Sequence, residues 1–244
     1  MKTKVWAHRG ASAYAPENTL EAFALAIGQQ ADGVELDVQM TRDGKLAVIH
    51  DETIDRIWEG SGYVKDFTMK ELKSFCCRKA APEYRSAVIP ELKEVLELLK
   101  PSRLTVNIEL KTGIFRYKGI EEEVLKLVKK MEMENRVIYS SFYHPSLVKV
   151  KKLEPKAKTG LLYSDGWIGV SSYAKKLGID ALHPAIYHLR SKKLIKDARE
   201  KGLSLHVWTV DEESLLNDLI EKSVEAIITN VPDVARKAVD RKEL

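Results

Sequence analysis

The fold of this protein is decided by residues 33–40, which read GVELDVQM. Side chains on a strand repeat every two residues, so Glu35 and Asp37 emerge from one face with their Cα atoms ~7 Å apart. Two like charges this close cost energy unless a proton, a cation or a cationic side chain lies between them. For ligands that offer only oxygen, a hard divalent metal is the usual solution. A half-exposed edge strand with a solvated acidic face is the alternative interpretation.

Strands and helices alternate regularly around this stretch. Eight strands are predicted, each followed by a helix; besides the acid-pair strand they are centred on Val5, Thr105, Val137, Thr159, Ala181, Leu205 and Ala226. That count favours an α/β fold of the (β/α)8 TIM-barrel type, a single domain of residues 1–244, over an open doubly wound sheet. The glycine fingerprint that an open nucleotide-binding sheet carries after a strand does not occur in the sequence, which weakens the open-sheet alternative further.

Residues 51–88 interrupt this alternation. They consist of short polar and aromatic pieces, and a loop of this length is usually functional. We expect a small inserted subdomain after the second strand region, which covers the barrel mouth and limits substrate size. The only two cysteines, Cys76 and Cys77, lie within it and are adjacent, so they match neither a disulfide framework nor a zinc pattern. A reduced, cytoplasmic setting is the simplest interpretation.

Composition excludes several classes of protein. The chain has 244 residues, of which 44% are hydrophobic and 31% are charged, as in ordinary globular proteins. Its net charge of +4 comes from 40 basic and 36 acidic residues mixed throughout, so nucleic acid is not expected as a partner. Because no stretch is long enough to span a bilayer, stable membrane insertion is not expected either. The oligomeric state stays open.

Polar residues collect at the carboxyl ends of the predicted strands, which converge on one mouth in a TIM barrel. His8 and Arg9 end the first strand, His50 ends the ribbon that follows the acid pair, and Glu109 and Lys111 end the next strand. Three carboxylates from neighbouring strands would form an oxygen-rich site, suited to Mg²⁺, Ca²⁺ or Mn²⁺ and poorly suited to zinc. A simple ion pair between Glu109 and Lys111 is the alternative for those two residues.

The sequence resembles the glycerophosphodiester phosphodiesterase family over essentially its whole length. The motifs that carry the resemblance are HRG at 8–10, PENT at 16–19, ELDV at 35–38, HD at 50–51, ELK at 109–111, VWTV at 207–210 and TNVPD at 229–233. The resemblance implies a barrel with a small insertion after the second strand. It also implies metal-dependent cleavage of a small-molecule glycerophosphodiester to glycerol 3-phosphate and an alcohol.

The chemistry of the residues supports such a reaction. One divalent cation, Mg²⁺ or Ca²⁺ with Mn²⁺ as a further option, would neutralise the phosphodiester together with Arg9 and Lys111. Its expected ligands are Glu35, Asp37 and Glu109. Histidine titrates near neutrality, so one of the catalytic residues His8 and His50 would take a proton from the nucleophile and the other would protonate the leaving alkoxide. The sequence leaves open which does which, and whether the nucleophile is water or the neighbouring glycerol hydroxyl.

Residues around the expected mouth have more than one interpretation. Phe142 and Trp208 are expected to line the mouth and to pack against the glycerol carbons, or else simply to fill the barrel. His183 is expected to face the cavity, His144 to cap a helix, and Asn18 to cap the first helix.

Three competing functions remain at this point. One is a phospholipase D-like or lysophospholipid-cleaving phosphodiesterase barrel, against which stands the lack of an exposed amphipathic anchor. Another is an aldolase that forms a Schiff base through Lys111. The third is a barrel that binds phosphate esters without turning them over, for which two titrating histidines are unnecessary.

Overall fold

Parallel strands close into a barrel with helices around its outside, in a computed structural model that describes residues 2–78 and 81–242. The strands are β1 (Lys4–His8), β2 (Gly33–Met40), β3 (Leu46–Val48), β4 (Thr105–Leu110), β5 (Val137–Ser141), β6 (Lys158–Tyr163), β7 (Ala181–Pro184), β8 (Ser204–Val207) and β9 (Ala226–Thr229). The helices are α1 (Leu20–Gly28), α2 (Met69–Leu72), α3 (Leu92–Leu99), α4 (Ile120–Lys130), α5 (His144–Leu153), α6 (Val170–Lys176), α7 (Lys192–Glu200), α8 (Glu213–Glu221) and α9 (Pro232–Arg241).

The barrel is closed by hydrogen bonds between its first and last strands. The order runs β1, β2, β4, β5, β6, β7, β8, β9 and back to β1, with every pair parallel. Strand β3 pairs antiparallel with the end of β2 and stands outside the ring. Each barrel strand leads into a helix on the outside. The predicted (β/α)8 barrel is therefore confirmed.

Strand β2 is buried on both faces. The side chain of Leu36 belongs to the same core cluster as Phe23 of α1 and Leu96 of α3, whereas Glu35 and Asp37 point into the barrel. Because β2 is bonded to both β1 and β4, the alternative of a solvated edge strand is wrong. The two-residue period thus places apolar groups under the helices and acids at the barrel axis.

Several element ends differ from the sequence-based expectation. Helix α1 is capped by Thr19, whose hydroxyl accepts from the amide of Ala22, and not by Asn18, which has a left-handed backbone with φ of 59°. Strand β7, the sixth strand of the barrel, stops at Pro184, whereas the sequence predicts a strand that continues to Ile186; a 3-10 helix, Ile186–Arg190, follows it. Both differences occur where the chain enters the barrel mouth, where long-range contacts override local preference.

The insertion, residues 51–88 apart from 79 and 80, contains α2, short 3-10 turns and isolated β-bridges. Ile54, Trp58, Val64 and Leu72 are buried in one cluster, which also includes Ala47 of β3. Within the described ranges, none of the helices has both the length and the apolar character needed to cross a bilayer.

Candidate active site

Three carboxylates meet at the mouth of the barrel. In the register of β2 and β4, Asp37 lies opposite Glu109 and Glu35 lies opposite Asn107. Glu35, Asp37 and Glu109 are all buried, and each offers an oxygen within 4.8 Å of the others' oxygens. Residues at positions i and i+2 on a strand share a face, so two neighbouring parallel strands suffice to build this group.

The electrostatics of the group favour a bound cation. Burial and the negative charges of Asp37 and Glu109 raise the pKa of Glu35 well above its ordinary value, and burial also raises the pKa of Glu109. Burial opposes ionisation of Asp37 too, but the charges of Lys111 and Arg9 outweigh it and lower the pKa of Asp37. Oδ1 of Asp37 is buried without a hydrogen-bond partner. An acidic group with an unsatisfied oxygen fits a hard cation that accepts oxygen ligands.

His8 is held in one tautomer by a residue from the opposite end of the chain. Its Nδ1 lies 2.8 Å from Oδ1 of Asn230. The Asn230 amide nitrogen donates to Asp211 at 2.6 Å, which fixes the orientation of the amide. His8 Nδ1 therefore donates, and Nε2 keeps a free lone pair, 3.9 Å from Glu35 Oε2. Burial and the neighbouring charge of Arg9 lower the pKa of His8 to about 4, so the ring is neutral at pH 7.

His50 stands at the end of a chain of charged side chains. Its Nδ1 lies 2.6 Å from Oδ1 of Asp51, and Arg56 donates to the same carboxylate through Nε at 2.6 Å. Arg56 also donates to both oxygens of Glu17, which in turn accepts from Arg9 at 2.9 Å. The hydrogen bond from His50 lowers the pKa of Asp51, so this carboxylate stays ionised beside the His50 ring.

Two amide side chains brace the backbone around the acids. Asn18 donates from Nδ2 to Oδ2 of Asp37 at 2.9 Å, which explains why it does not cap α1. Gln39, on the same face of β2 as the acids, donates to the carbonyls of Ile49, His50 and Asp51. The position of His50 is therefore fixed from the barrel strand itself.

A cavity of about 210 Å³ connects these groups. It is lined by His8, Arg9, Glu35, His50, Asn107, Glu109, Phe142, Leu162, Trp208 and Ile228. Phe142 and Trp208 meet edge to face with their ring centroids 5.6 Å apart, at the apolar side of the cavity. Lys111 lies beside the acids, with Nζ 3.2 Å from Glu109 Oε1 and 3.9 Å from Asp37 Oδ1. All nine site residues predicted from the sequence are thus brought to one mouth.

Two other histidines lie elsewhere than expected. His183 does not line the cavity; it is fully buried in the barrel interior with Nε2 2.8 Å from Nδ1 of His206. His144 does not cap α5; its Nε2 lies 2.8 Å from the carbonyl oxygen of Leu162. Neither position can be read from a single strand or helix, because both contacts join separate elements.

Several residues that contribute to the site are not among the nine predicted site residues; they include Glu17, Arg56, Asn107 and Asn230. Asn107 could have been found, since it lies two residues before Glu109 on the same strand and shares its face. Its Oδ1 is buried and has no hydrogen-bond partner. Arg56 gave no signal, because it lies in the irregular insertion.

Acids, histidines and cations at the carboxyl ends of barrel strands define an enzyme of the TIM-barrel class. The model of the Glycerophosphoryl diester phosphodiesterase family matches residues 8–234. The chain belongs to this family.

Known proteins similar to this chain agree with that assignment. A glycerophosphodiester phosphodiesterase of Caldanaerobacter subterraneus subsp. tengcongensis is 44% identical over 234 residues, which cover 96% of each chain. Another, from Bacillus altitudinis, is 40% identical over 96% of this chain and 97% of its own. The solved structure of an Oleispira antarctica phosphodiesterase in complex with the product sn-glycerol-3-phosphate has a TM-score of 0.89 and 28% identity, covering 98% of this chain and 97% of its own.

Proposed function

We propose that this protein hydrolyses glycerophosphodiesters to sn-glycerol 3-phosphate and an alcohol, using one divalent cation and two histidines. The observation that carries the proposal is the meeting of the three carboxylates with His8 and His50 around one cavity. At about 210 Å³ the cavity is smaller than the ~300–1,000 Å³ typical of drug-sized ligands, so it suits a small polar phosphoester. The product bound to the Oleispira antarctica protein is of that size and chemistry.

The cation would be held by Glu35, Asp37 and Glu109, with Asn107 Oδ1 available as a further oxygen. Oxygen ligands of this kind select Mg²⁺, Ca²⁺ or Mn²⁺ over zinc. When bound, the cation supplies positive charge to the phosphate oxygens, both in the ground state and as charge develops in the transition state.

Arg9 and Lys111 add fixed positive charge to the same place. Burial opposes the charge of Lys111, but the neighbouring Glu109 and Asp37 raise its pKa, so the amine stays protonated. A protonated lysine binds phosphate but does not attack a carbonyl carbon. The arrangement therefore favours phosphodiester chemistry over a Schiff-base aldolase.

The two histidines have different environments, which assigns them different roles. The free lone pair at His8 Nε2 takes the proton of the nucleophile, either water or the neighbouring glycerol hydroxyl, as it bonds to phosphorus. His50, whose Nδ1 is hydrogen-bonded to the Asp51 carboxylate, gives a proton to the oxygen of the alcohol as the P–O bond breaks. If the glycerol hydroxyl attacks, the cyclic phosphate that forms is hydrolysed in a second step.

We further propose that residues 51–88 form a subdomain that covers one side of the mouth. Arg56 supports this role, because it connects the insertion to Glu17 in the loop after β1. The proposed location is the cytoplasm, on the ground that the only cysteines are the adjacent Cys76 and Cys77.

The test is release of glycerol 3-phosphate from glycerophosphocholine and glycerophosphoethanolamine, with Mg²⁺, Ca²⁺ or Mn²⁺ added, before and after chelation. We expect turnover that chelation abolishes, and a loss of ~10²- to 10⁴-fold in His8→Ala and in His50→Ala. His188→Ala is the matched control, because His188 lies outside the cavity lining.

Three outcomes would contradict the proposal. Saturable binding without product would select the non-catalytic barrel. Turnover of lysophospholipid or intact phospholipid in place of the water-soluble diesters would select the phospholipase D-like alternative. Near wild-type turnover in both histidine variants would remove the assigned roles.

A further inference from the structure

Exposed apolar side chains are concentrated at the barrel mouth. Among the described residues, nine large hydrophobic side chains are exposed, and six of them lie in the insertion or in the loops that follow β4 to β7. We call these six the apolar rim: Tyr63, Ile114, Phe142, Trp167, Ile168 and Tyr187. Single exposed hydrophobic residues are normal on soluble proteins, but a group on one side of the molecule indicates an interaction surface.

Aromatic contacts tie the apolar rim to its surroundings. Tyr63 meets Phe115 of the loop after β4 with ring centroids 5.4 Å apart, and Trp167 stacks on His144 at 5.4 Å. Phe142 itself lines the active-site cavity. The apolar rim is therefore continuous with the entrance through which a substrate must pass.

Two isoleucine side chains of the apolar rim are largely exposed at the tips of their loops. The side chain of Ile168 is 100% exposed and that of Ile114 is 68% exposed, in the loops after β6 and β4. Neither side chain contributes to the cavity lining. Leaving two isoleucines in water costs free energy that burial in an apolar medium would recover.

The loops that carry most of the apolar rim are basic. Residues 112–119, 142–143, 164–169 and 185–191 contain Arg116, Lys118 and Arg190 but a single acid, Asp165, although the whole chain has 40 basic and 36 acidic residues. Arg116, Lys118 and Arg190 are exposed. This excess of positive charge complements an anionic surface.

We propose that the apolar rim docks reversibly on an anionic phospholipid bilayer, with the cavity facing the lipid surface. Tryptophan and tyrosine rings favour the boundary between headgroups and acyl chains, and neighbouring lysine and arginine bind anionic headgroups.

The test is co-sedimentation of the full chain with vesicles of phosphatidylcholine alone or with phosphatidylglycerol added. We expect binding to the anionic vesicles that high salt reverses, and a reduction of about tenfold or more in the double variant Ile114→Ser with Ile168→Ser. The matched control is Val148→Ser with Leu153→Ser, which removes two exposed hydrophobic side chains from α5. The double variant Lys118→Gln with Arg190→Gln should weaken binding to the vesicles that contain phosphatidylglycerol. It should not change binding to vesicles of phosphatidylcholine alone.

Folding of the variants is checked by thermal unfolding, so that lost binding is not confused with a lost fold. Vesicle binding is measured without turnover. The docking proposal can therefore fail while the proposed hydrolysis holds, and the proposed hydrolysis can fail while the docking proposal holds. Absence of vesicle binding, or equal losses in the rim and α5 variants, would overturn the proposal. A third result would also overturn it: no vesicle binding, together with self-association in sedimentation velocity that the rim variant abolishes. That result would assign the surface to a second copy of this chain.

Discussion

Nδ1 of His8 lies 2.8 Å from Oδ1 of Asn230, so the residue that ends the first barrel strand is oriented by the residue that follows the last one. Asp211 accepts from the Asn230 amide nitrogen and prevents the amide from turning over. The free lone pair of His8 thus depends on closure of the barrel, in the same way that hydrogen bonds orient catalytic histidines in other enzymes.

The orientation of His8 predicts a phenotype for Asn230. Replacing Asn230 with Ala removes the acceptor of the Nδ1 proton, so we expect kcat to fall by about 10- to 100-fold with little change in KM. Asn230→Asp places a carboxylate at Nδ1 and should raise the pKa of His8, which moves the acidic limb of the pH–rate profile to higher pH. Asn217→Ala on the exposed face of α8 is the control. An unchanged kcat and pH profile in both Asn230 variants would show that the hydrogen bond is structural only.

Side-chain hydrogen bonds connect His50 to Asp51, Arg56 and Glu17, and they predict that Arg56 acts on catalysis through Asp51. Arg56→Ala should lower kcat by about tenfold, because Asp51 loses two hydrogen bonds and no longer holds the His50 ring firmly. Arg42→Ala is a matched control, since Arg42 makes a comparable exposed pair with Glu71 away from the site. Equal kcat values for the two variants would remove Arg56 from the catalytic arrangement.

Because Glu35 is buried beside Asp37 and Glu109, we expect it to lower the stability of the metal-free protein although activity requires it. The pKa of Glu35 is raised in the folded protein, so its contribution to stability is present below its unfolded pKa and is lost as pH rises through the folded pKa. Without metal, Glu35→Gln should therefore be more stable than wild type near pH 8 by roughly 1–3 kcal/mol, as measured by denaturant unfolding. Added Mg²⁺ or Ca²⁺ should stabilise the wild type more than the variant, which should be inactive. Glu123→Gln on α4 is the control, and equal metal stabilisation of Glu35→Gln and wild type would argue against Glu35 as a ligand.

Two buried histidines predict loss of stability in acid. Burial lowers the pKa of His206 to about 3 and lowers that of His183 well below its ordinary value. Because the folded pKa is depressed, the unfolded chain binds more protons once the pH falls below about 6.5, and stability declines by ~1.4 kcal/mol per pH unit for each histidine. His206→Gln should flatten this slope by about one proton in unfolding measurements between about pH 6 and pH 4. A slope equal to that of wild type would show that His206 is not responsible.

Local pattern was enough to predict the framework of the site. The two-residue period of a strand placed Glu35 and Asp37 on one face of β2, and it placed Glu109 and Lys111 on one face at the end of β4. Neither inference depends on the rest of the sequence. Repetition of strand and helix fixed the barrel, and the barrel brings strand ends together. These inferences needed only neighbours in sequence, which explains why all nine predicted site residues reach one mouth.

Other features were decided only by the tertiary structure. Asn18 has the sequence features of a helix cap, yet it turns to Asp37, because a buried carboxylate needs a donor more than a helix end that Thr19 already caps. Arg56 reaches Glu17 across 39 residues, and Asn230 reaches His8 across 222. The sequence by itself therefore determined which faces carry the acids and cations. Closure of the barrel and the path of the insertion decided which nitrogen of His8 is free and how Arg56 joins Asp51 to Glu17. The contacts to Asn230 and Glu17 exist only after distant segments pack together.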